Sequence, residues 1–270
     1  MPLAVLCILR FEFCTASLTI ALPDAAMIKA TEFEFRNRWW MFGATFFAAF
    51  VQFAYDHVPL GVRIAAILQA RLGWNEAVAV RAIFYVAAAL MVVAALVRTW
   101  GSAYLRREVV HDAAMHGETL HADGPYRHTR NPLYFGNILM AVAMALVAPR
   151  WGAPIILVVV SLLCYRLIGR EEAHLEAKRG EQYSAFRRAV PRLWPSLRPR
   201  IPTSDGKPDW ISGLAAEAYF WSFALGLVGF AVTLNVVFLY AGFIASPLLS
   251  WLAVVTTRGR EKSRPSGANV

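Results

Sequence analysis

Residues 124–136 have the sequence Gly-Pro-Tyr-Arg-His-Thr-Arg-Asn-Pro-Leu-Tyr-Phe-Gly, in which a basic, turn-rich strip gives way to a long uncharged segment. Pro132 suits the first position of a helix, because its missing N–H would have no partner within the helix there. Asn131 before it is a favoured N-cap residue. We therefore predict that a helix begins at Pro132 and turns its positive end, which attracts carboxylates and phosphates, toward the basic strip.

The composition of the chain is typical of a membrane protein. Of the 270 residues, 58% are hydrophobic and 17% are charged, which is more apolar than a typical soluble domain. A helix needs about 20 apolar residues to cross the roughly 30 Å hydrocarbon core, and shorter helices are tolerated where flanking Arg and Lys reach the headgroups. The uncharged windows are 39–55, 82–97, 131–149, 151–165 and 218–257. Dividing the last near Asn235 predicts an all-α, polytopic membrane protein with about six transmembrane helices.

The distribution of Lys and Arg predicts the orientation of these helices. With the N-terminus in the cytoplasm, 22 of the 27 basic residues fall in cytoplasmic segments, as the positive-inside rule requires. The net charge of +9 is then explained by contact with anionic lipid headgroups. Nucleic-acid binding is the weaker interpretation, because the basic residues are spread over four segments beside the membrane.

The chain divides into five parts on this basis. They are an N-terminal segment (1–38), two transmembrane helices (39–97), a central region with a helical hairpin and cytoplasmic loops (98–212), a C-terminal transmembrane pair (213–257) and a basic tail (258–270). Arg10 and Glu12 interrupt the apolar stretch at the N-terminus, and such charges are costly in a membrane helix. Met27 is therefore a candidate start, with an interfacial helix over the first residues as the alternative.

Cysteine and histidine spacing argues against a metal site. The three cysteines have no paired spacing. His111, His116 and His121 are separated by steps of five residues, which turn about 140° each on a helix and so do not share one face. A solvated loop beside the membrane explains them better.

Two polar stretches, 99–131 and 170–212, flank the hairpin formed by the third and fourth predicted membrane helices. Because both are expected on the cytoplasmic side, we predict that they form one composite site. The fourth helix is expected to continue into the cytoplasm and to carry Arg166, Arg170, Glu171 and Glu172 with it, since Leu163, Leu167 and Ile168 extend its apolar pattern.

The ordered set Gly-Pro-Tyr, Arg-Asn-Pro-Leu-Tyr-Phe-Gly, a second hydrophobic segment, Arg-Glu-Glu and a closing Val-Pro-Arg resembles the isoprenylcysteine carboxyl methyltransferase family, which is related to membrane phospholipid methyltransferases. The resemblance covers roughly 98–195. It implies a helical membrane enzyme that uses S-adenosylmethionine, bound in a cytoplasm-facing pocket roofed by loops. The acceptor would be an amphiphilic or lipidated molecule. The alternatives are methylation of a phospholipid headgroup amine and a non-enzymatic membrane scaffold.

Carried over to this chain, the resemblance implies a set of donor-binding residues: His111, Glu118, Thr119, Leu120, His121, Tyr126, Asn131, Pro132, Leu133, Tyr134 and Glu171. Arg166, Arg170 and Glu172 are the implied catalytic or substrate-side candidates. The family usually has His where this chain has Asn131, and Asn offers neither an aromatic face nor a titratable proton. Donor affinity, activity or the acceptor could therefore differ.

The chemistry of these residues agrees with such a donor. An aromatic ring can attract a sulfonium, a carboxylate can pair with an ammonium, and a helix N-terminus can bind a carboxylate. Tyr126 and Tyr134, Glu171 or Glu172, and the start of the helix at Pro132 would supply these three features. The glycine-rich loop of a Rossmann methyltransferase is absent from the sequence. A transporter is disfavoured because the second to fourth windows carry no charge across their central stretches.

Overall fold

The computed structural model describes residues 29–111 and 122–262, with the backbone alone at 106–111, at 250, 253 and 254, and at 256–262. The described residues form helices and no strand. The helices are α1 (Glu32–Arg36), α2 (Arg38–Phe50), α3 (Leu60–Leu72), α4 (Glu76–His111), α5 (Pro132–Val147), α6 (Gly152–Arg179), α7 (Glu181–Ala189), α8 (Trp210–Ala216), α9 (Ala218–Thr233) and α10 (Val237–Lys262). Short 3₁₀ turns occupy Val51–Ala54 and Gly124–Arg127.

Among the described residues, two helices, α4 and α6, are long and apolar enough to cross a membrane. Taken together, α8 and α9 are also long and apolar enough for one span, although the pair bends by 69° at the break between them. Helix α5 has 16 residues and is about 24 Å long, shorter than the hydrocarbon core. Each predicted window contains a helix, and the last is divided at Leu234–Val236, but the count of six spans stays a prediction.

Helix α4 continues well beyond the apolar window that predicts it. It has 36 residues, so the expected boundary between 97 and 98 lies inside one continuous helix. The apolar part, Glu76–Leu105, packs against α5 and α9 through a core that includes Phe84, Met91, Met140 and Phe220. This packing gives the chain a rigid central helix that carries residues from the membrane region to the polar end.

Small residues let the helices around α5 approach closely. Ala141 and Ala145 of α5 pack with Ala49 of α2 and Ile156 of α6 in a second core. A Cβ at Gly152 would lie 2.3 Å from the Ala49 carbonyl oxygen, so the start of α6 tolerates only glycine against α2. Such close backbone contact is typical of packing between membrane helices.

The two polar stretches meet at one end of this helical body. Backbone N–H groups of Arg130, Ser196 and Arg200 donate to the carbonyls of Pro191, His128 and Arg127, respectively, at 2.8–2.9 Å. The loop 190–206 is thereby tied to the strip that precedes α5.

Asp123 fixes the far end of the same loop. Its carboxylate accepts hydrogen bonds from Thr203 Oγ1 (2.8 Å), Ser204 N (2.8 Å) and Gly206 N (2.9 Å), and from the Ser204 hydroxyl. Burial opposes ionisation of this carboxyl, but these hydrogen bonds outweigh it and lower the pKa of Asp123. The loop is therefore anchored at both ends over the start of α5.

Candidate functional site

A cavity of about 1930 Å³ runs from this polar end into the helical body. Its volume is about twice the upper range of typical small-molecule pockets, so it has room for more than one ligand. Lining residues of α5 extend from Pro132 to Val147, which corresponds to about 22 Å along the helix. We call the polar end of the cavity, where Tyr134 and Glu171 lie, its mouth. The part that extends into the helical body is mostly apolar, and we call it the interior.

The mouth collects most of the described residues that the sequence predicts for donor binding. Of these, the residues that line the cavity are Tyr126, Asn131, Pro132, Leu133, Tyr134 and Glu171. Glu172, a candidate for the catalytic or substrate side, also lines it. They come from the 3₁₀ turn at Gly124–Arg127, from the first turn of α5 and from the C-terminal half of α6. The side chains of His111, Glu118, Thr119, Leu120 and His121 lie outside the described residues, as does Met27.

Helix α5 begins at Pro132, as predicted, but Asn131 does not cap it in the expected way. Asn131 occupies the N-cap position and its side chain makes no capping hydrogen bond. Its Nδ2 donates instead to the Arg192 carbonyl (2.8 Å) and to Glu172 Oε1 (3.3 Å). The expected cap is therefore wrong, because the amide is recruited by the loop that closes over it. The N–H groups of the first turn consequently receive no side-chain cap from Asn131.

Glu171 and Glu172 are adjacent in the chain but differ in their partners. The Tyr134 hydroxyl donates to Glu171 Oε1 at 2.7 Å, which joins the first turn of α5 to α6. Glu172 is 3% exposed and lies 3.1 Å from Arg130 Nη2 and 3.1 Å from Arg192 Nε. Glu172 therefore holds the loop and the strip together, whereas Glu171 presents a carboxylate to the cavity beside an aromatic hydroxyl.

Arg166 and Arg170 point away from the cavity, toward α1. Arg166 donates to Glu34 through Nε (3.0 Å) and Nη2 (2.7 Å), a bidentate ion pair. Arg170 donates to the Ala30 carbonyl (3.2 Å) and to Glu32. Neither arginine lines the cavity, so the structure does not bring them together with the tyrosines and Glu171.

Other arginines line the cavity in their place. Arg38 begins α2, donates to the Phe35 carbonyl at 2.9 Å and lies 4.7 Å from the Phe35 ring centroid. Arg98 and Arg130 also line the cavity. The sequence does not reveal that Arg38 and Arg98 line the cavity. Each stands at the edge of an uncharged window, where an arginine is expected to flank a membrane helix.

Aromatic and aliphatic side chains form the interior of the cavity. They come from both ends of the chain as well as from α5: Phe46, Phe50, Phe53, Met140, Met144, Phe220, Phe223, Leu227, Phe230 and Phe243. Helices α9 and α10 therefore contribute part of the wall. A long apolar interior below a charged mouth fits an amphiphile better than a water-soluble metabolite.

Part of the chain matches a known protein family. Residues 82–182 match the family model of phospholipid methyltransferases, a little over a third of the chain. No curated protein and no solved structure matches the chain. The matched stretch includes Tyr126, the start of α5 and Glu171, and it ends before the loop 190–206 and α8 to α10. The match supports a relation to membrane phospholipid methyltransferases and does not single out the isoprenylcysteine carboxyl methyltransferases.

Proposed function

We propose that this protein is a membrane-embedded, S-adenosylmethionine-dependent methyltransferase that acts on an amphiphilic acceptor. The observation that carries the proposal is that Tyr126, Tyr134, Glu171 and the uncapped start of α5 line the polar mouth of one cavity with a long apolar interior. The family match over 82–182 supports the same reaction class.

The residues at the mouth fit the chemistry of the donor. Glu171 can pair with the donor ammonium, and a hydrogen bond between charged groups is about twice as strong as a neutral one. The first-turn N–H groups at Leu133 and Tyr134 suit its carboxylate. Tyr126, which is 9% exposed, and Tyr134 provide ring faces for the adenine and the sulfonium. When bound, the donor would supply a methyl group that leaves a sulfonium by direct displacement, so the contribution of the protein is alignment and exclusion of water.

The cavity interior supports a lipidic acceptor. One leaflet of the hydrocarbon core is about 15 Å deep, and the lining along α5 extends about 22 Å. A hydrocarbon tail can therefore lie among the Phe and Met side chains while the polar head remains at the mouth. We propose that the acceptor reaches the cavity sideways from the bilayer and that the mouth faces the cytoplasm.

We infer that the methylated group is a carboxylate, as in an isoprenylcysteine-like compound. Arginine suits a carboxylate because its planar fork can donate two parallel hydrogen bonds, whereas it would repel a cationic headgroup. Arg38 lines the cavity and is the candidate for this role. Arg166 and Arg170 stay predictions for it, although their ion pairs with Glu34 and Glu32 support a role in holding α1. Phospholipid amine methylation is the second candidate, because the family match is to phospholipid methyltransferases.

Incubation of the purified protein with a total lipid extract and methyl-labelled donor tests the proposal. We expect label in the organic-extractable fraction, released by mild base if the product is a methyl ester. Base-stable organic label would move the assignment to amine methylation of a phospholipid. Label confined to the aqueous phase would contradict a lipidic acceptor, and absence of both donor binding and transfer would contradict the enzyme itself.

Arginine-to-lysine variants then identify the residue that holds the acceptor. Arg38→Lys keeps the positive charge but loses the planar guanidinium that can donate two parallel hydrogen bonds. We therefore expect methyl transfer to fall at least tenfold while donor affinity stays unchanged. Arg36→Lys, an exposed position of α1, is the matched control. A loss of transfer in Arg166→Lys or Arg170→Lys, with Arg38→Lys fully active, would return the role to the arginines of α6.

A further inference from the structure

Arg98 and Glu217 form a buried ion pair between parts of the chain that are 119 residues apart. Arg98 Nε lies 2.6 Å from Glu217 Oε2, and Nη2 lies 3.1 Å from Oε1. Their side chains are 7% and 3% exposed. Glu217 stands at the 69° bend between α8 and α9, outside the stretch that matches the methyltransferase family.

The remaining N–H groups of Arg98 reach α5 and α9. Nη1 donates to the Leu133 carbonyl (3.1 Å) and to Asn137 Oδ1 (2.8 Å), and Nη2 also donates to the Tyr219 hydroxyl (2.9 Å). Leu133 belongs to the first turn of α5, where the donor is proposed to bind. One guanidinium therefore connects the bend of the C-terminal helices to the wall of the mouth.

Gly136 shows how closely Arg98 and α5 fit. A Cβ at Gly136 would lie 2.4 Å from Arg98 Cγ, closer than two non-bonded carbon atoms can approach. Glycine at this position therefore leaves the space in which the Arg98 side chain lies against α5. A buried ion pair adds little net stability compared with apolar packing of the same volume. Its effect here is on orientation, because Glu217 fixes the plane of the guanidinium and so the positions of Leu133 and Asn137.

We propose that Glu217 is a positioning residue for the donor site and acts through Arg98 on the first turns of α5. The C-terminal helices are then part of the catalytic unit rather than an independent membrane anchor. The effect on donor binding rests on the proposed function, whereas the effect on α5 does not.

The contacts between α9 and α4 provide a matched control. Trp221 Nε1 donates to Thr99 Oγ1 at 2.9 Å, one residue along α4 from Arg98, and this bond has no connection to α5. Trp221→Phe should therefore weaken the docking of α9 without disturbing the donor site. Glu217→Gln keeps the shape of the side chain and removes its charge. Glu217→Asp keeps the negative charge, but its side chain is one methylene shorter, so the carboxylate lies farther from Arg98. This variant replaces Glu217→Gln in the test if the Gln variant does not fold.

Two measurements on folded, monodisperse protein in detergent test the proposal. For either Glu217 variant we expect donor Kd to rise at least tenfold and hydrogen exchange to quicken in the segment 133–140. For Trp221→Phe we expect a lower Tm with donor Kd and exchange in that segment unchanged. The proposal would be overturned if the Glu217 variants had the same donor Kd and the same hydrogen exchange in 133–140 as the wild-type protein. It would also be overturned if donor Kd rose equally in Trp221→Phe. If the wild-type protein binds no donor, the proposed function fails, and the exchange measurement still decides the role of Glu217.

Discussion

Glu171 and Glu172 show how two identical neighbouring side chains acquire different roles. Glu172 lies between Arg130 and Arg192 and is almost fully buried, so its charge is used to hold the loop 190–206 in place. Glu171 is half-buried, lines the cavity and accepts a hydrogen bond from Tyr134. A carboxylate that must bind a ligand ammonium has to face the cavity, and Glu171 meets this requirement.

We therefore expect Glu171→Gln and Glu172→Gln to have different effects. Glu171→Gln should weaken donor binding by about ten- to a hundredfold, since a hydrogen bond to a charged group contributes roughly 1.5–3 kcal/mol. Glu172→Gln should instead lower the free energy of unfolding by about 3–5 kcal/mol, because it leaves the buried guanidinium of Arg130 and the partly buried one of Arg192 without their counterion. Calorimetric titration with the donor and thermal unfolding in detergent measure the two effects.

Glu181→Gln is the control for this comparison, because Glu181 forms an exposed ion pair with Arg188. It should change neither measurement appreciably, since exposed pairs contribute about 1 kcal/mol or less. Unchanged donor affinity in folded Glu171→Gln would show that this carboxylate is not part of the donor site.

At the scale of the helices, α1 is short and depends on α6 for its position. Thr31 and Glu34 form a capping box, in which each side chain accepts a hydrogen bond from the backbone N–H of the other residue. The hydrogen bonds from Arg166, with that from the backbone of Thr31, lower the pKa of Glu34 to about 2. Because Arg38 follows α1 by two residues, this attachment also determines where Arg38 enters the cavity mouth.

The attachment of α1 should depend on pH. A carboxyl whose folded-state pKa is below its ordinary value stabilises the protein above about pH 4.3, and this contribution is lost as the pH falls through about 2. We expect Glu34→Gln to reduce the difference in Tm between pH 6 and pH 3. A double-mutant cycle with Arg166→Gln should give a coupling of roughly 1 kcal/mol. No coupling, together with an unchanged pH dependence, would show that the ion pair does not hold α1.

For the whole molecule, most of the ion pairs that the described residues form lie at one end. The start of α5, the C-terminal half of α6 and the bend at Glu217 meet there, and the two polar stretches cover them. At the opposite end, the Leu60 N–H donates to the Ala148 carbonyl at 2.8 Å, and this hydrogen bond joins the start of α3 to the end of α5. Under the proposed function, a donor from the cytoplasm and an acceptor from the bilayer reach the same cavity if the polar end faces the cytoplasm.

This orientation can be tested with single cysteines in a background free of Cys7, Cys14 and Cys164. Glu181→Cys is exposed on α7 at the polar end, and Arg71→Cys is exposed near the end of α3. In sealed cells we expect an impermeant reagent to label Arg71→Cys alone, because the positive-inside rule predicts that α7 lies in the cytoplasm. Labelling of Glu181→Cys from outside would reverse the predicted topology.

The sequence by itself predicted the helical elements and a group of residues that share one cavity. The apolar windows predicted the helical body, and Pro132 predicted the start of α5, because hydrophobic periodicity and proline act over a few residues and can be seen in one segment. The family resemblance carried by the order of motifs implied Tyr126, Asn131–Tyr134 and Glu171 as one group, and all of them line one cavity. These features need no knowledge of distant contacts.

The tertiary structure alone decided which charges face the cavity. Arg166 and Arg170 share a helix with Glu171, but α1 supplies Glu34 and Glu32 as their partners and turns them away. Arg98 and Glu217 stand at the edges of two apolar windows, and nothing in either local sequence indicates that they meet. The partner of a long charged side chain is set by which elements pack beside it, and that choice depends on contacts more than a hundred residues apart.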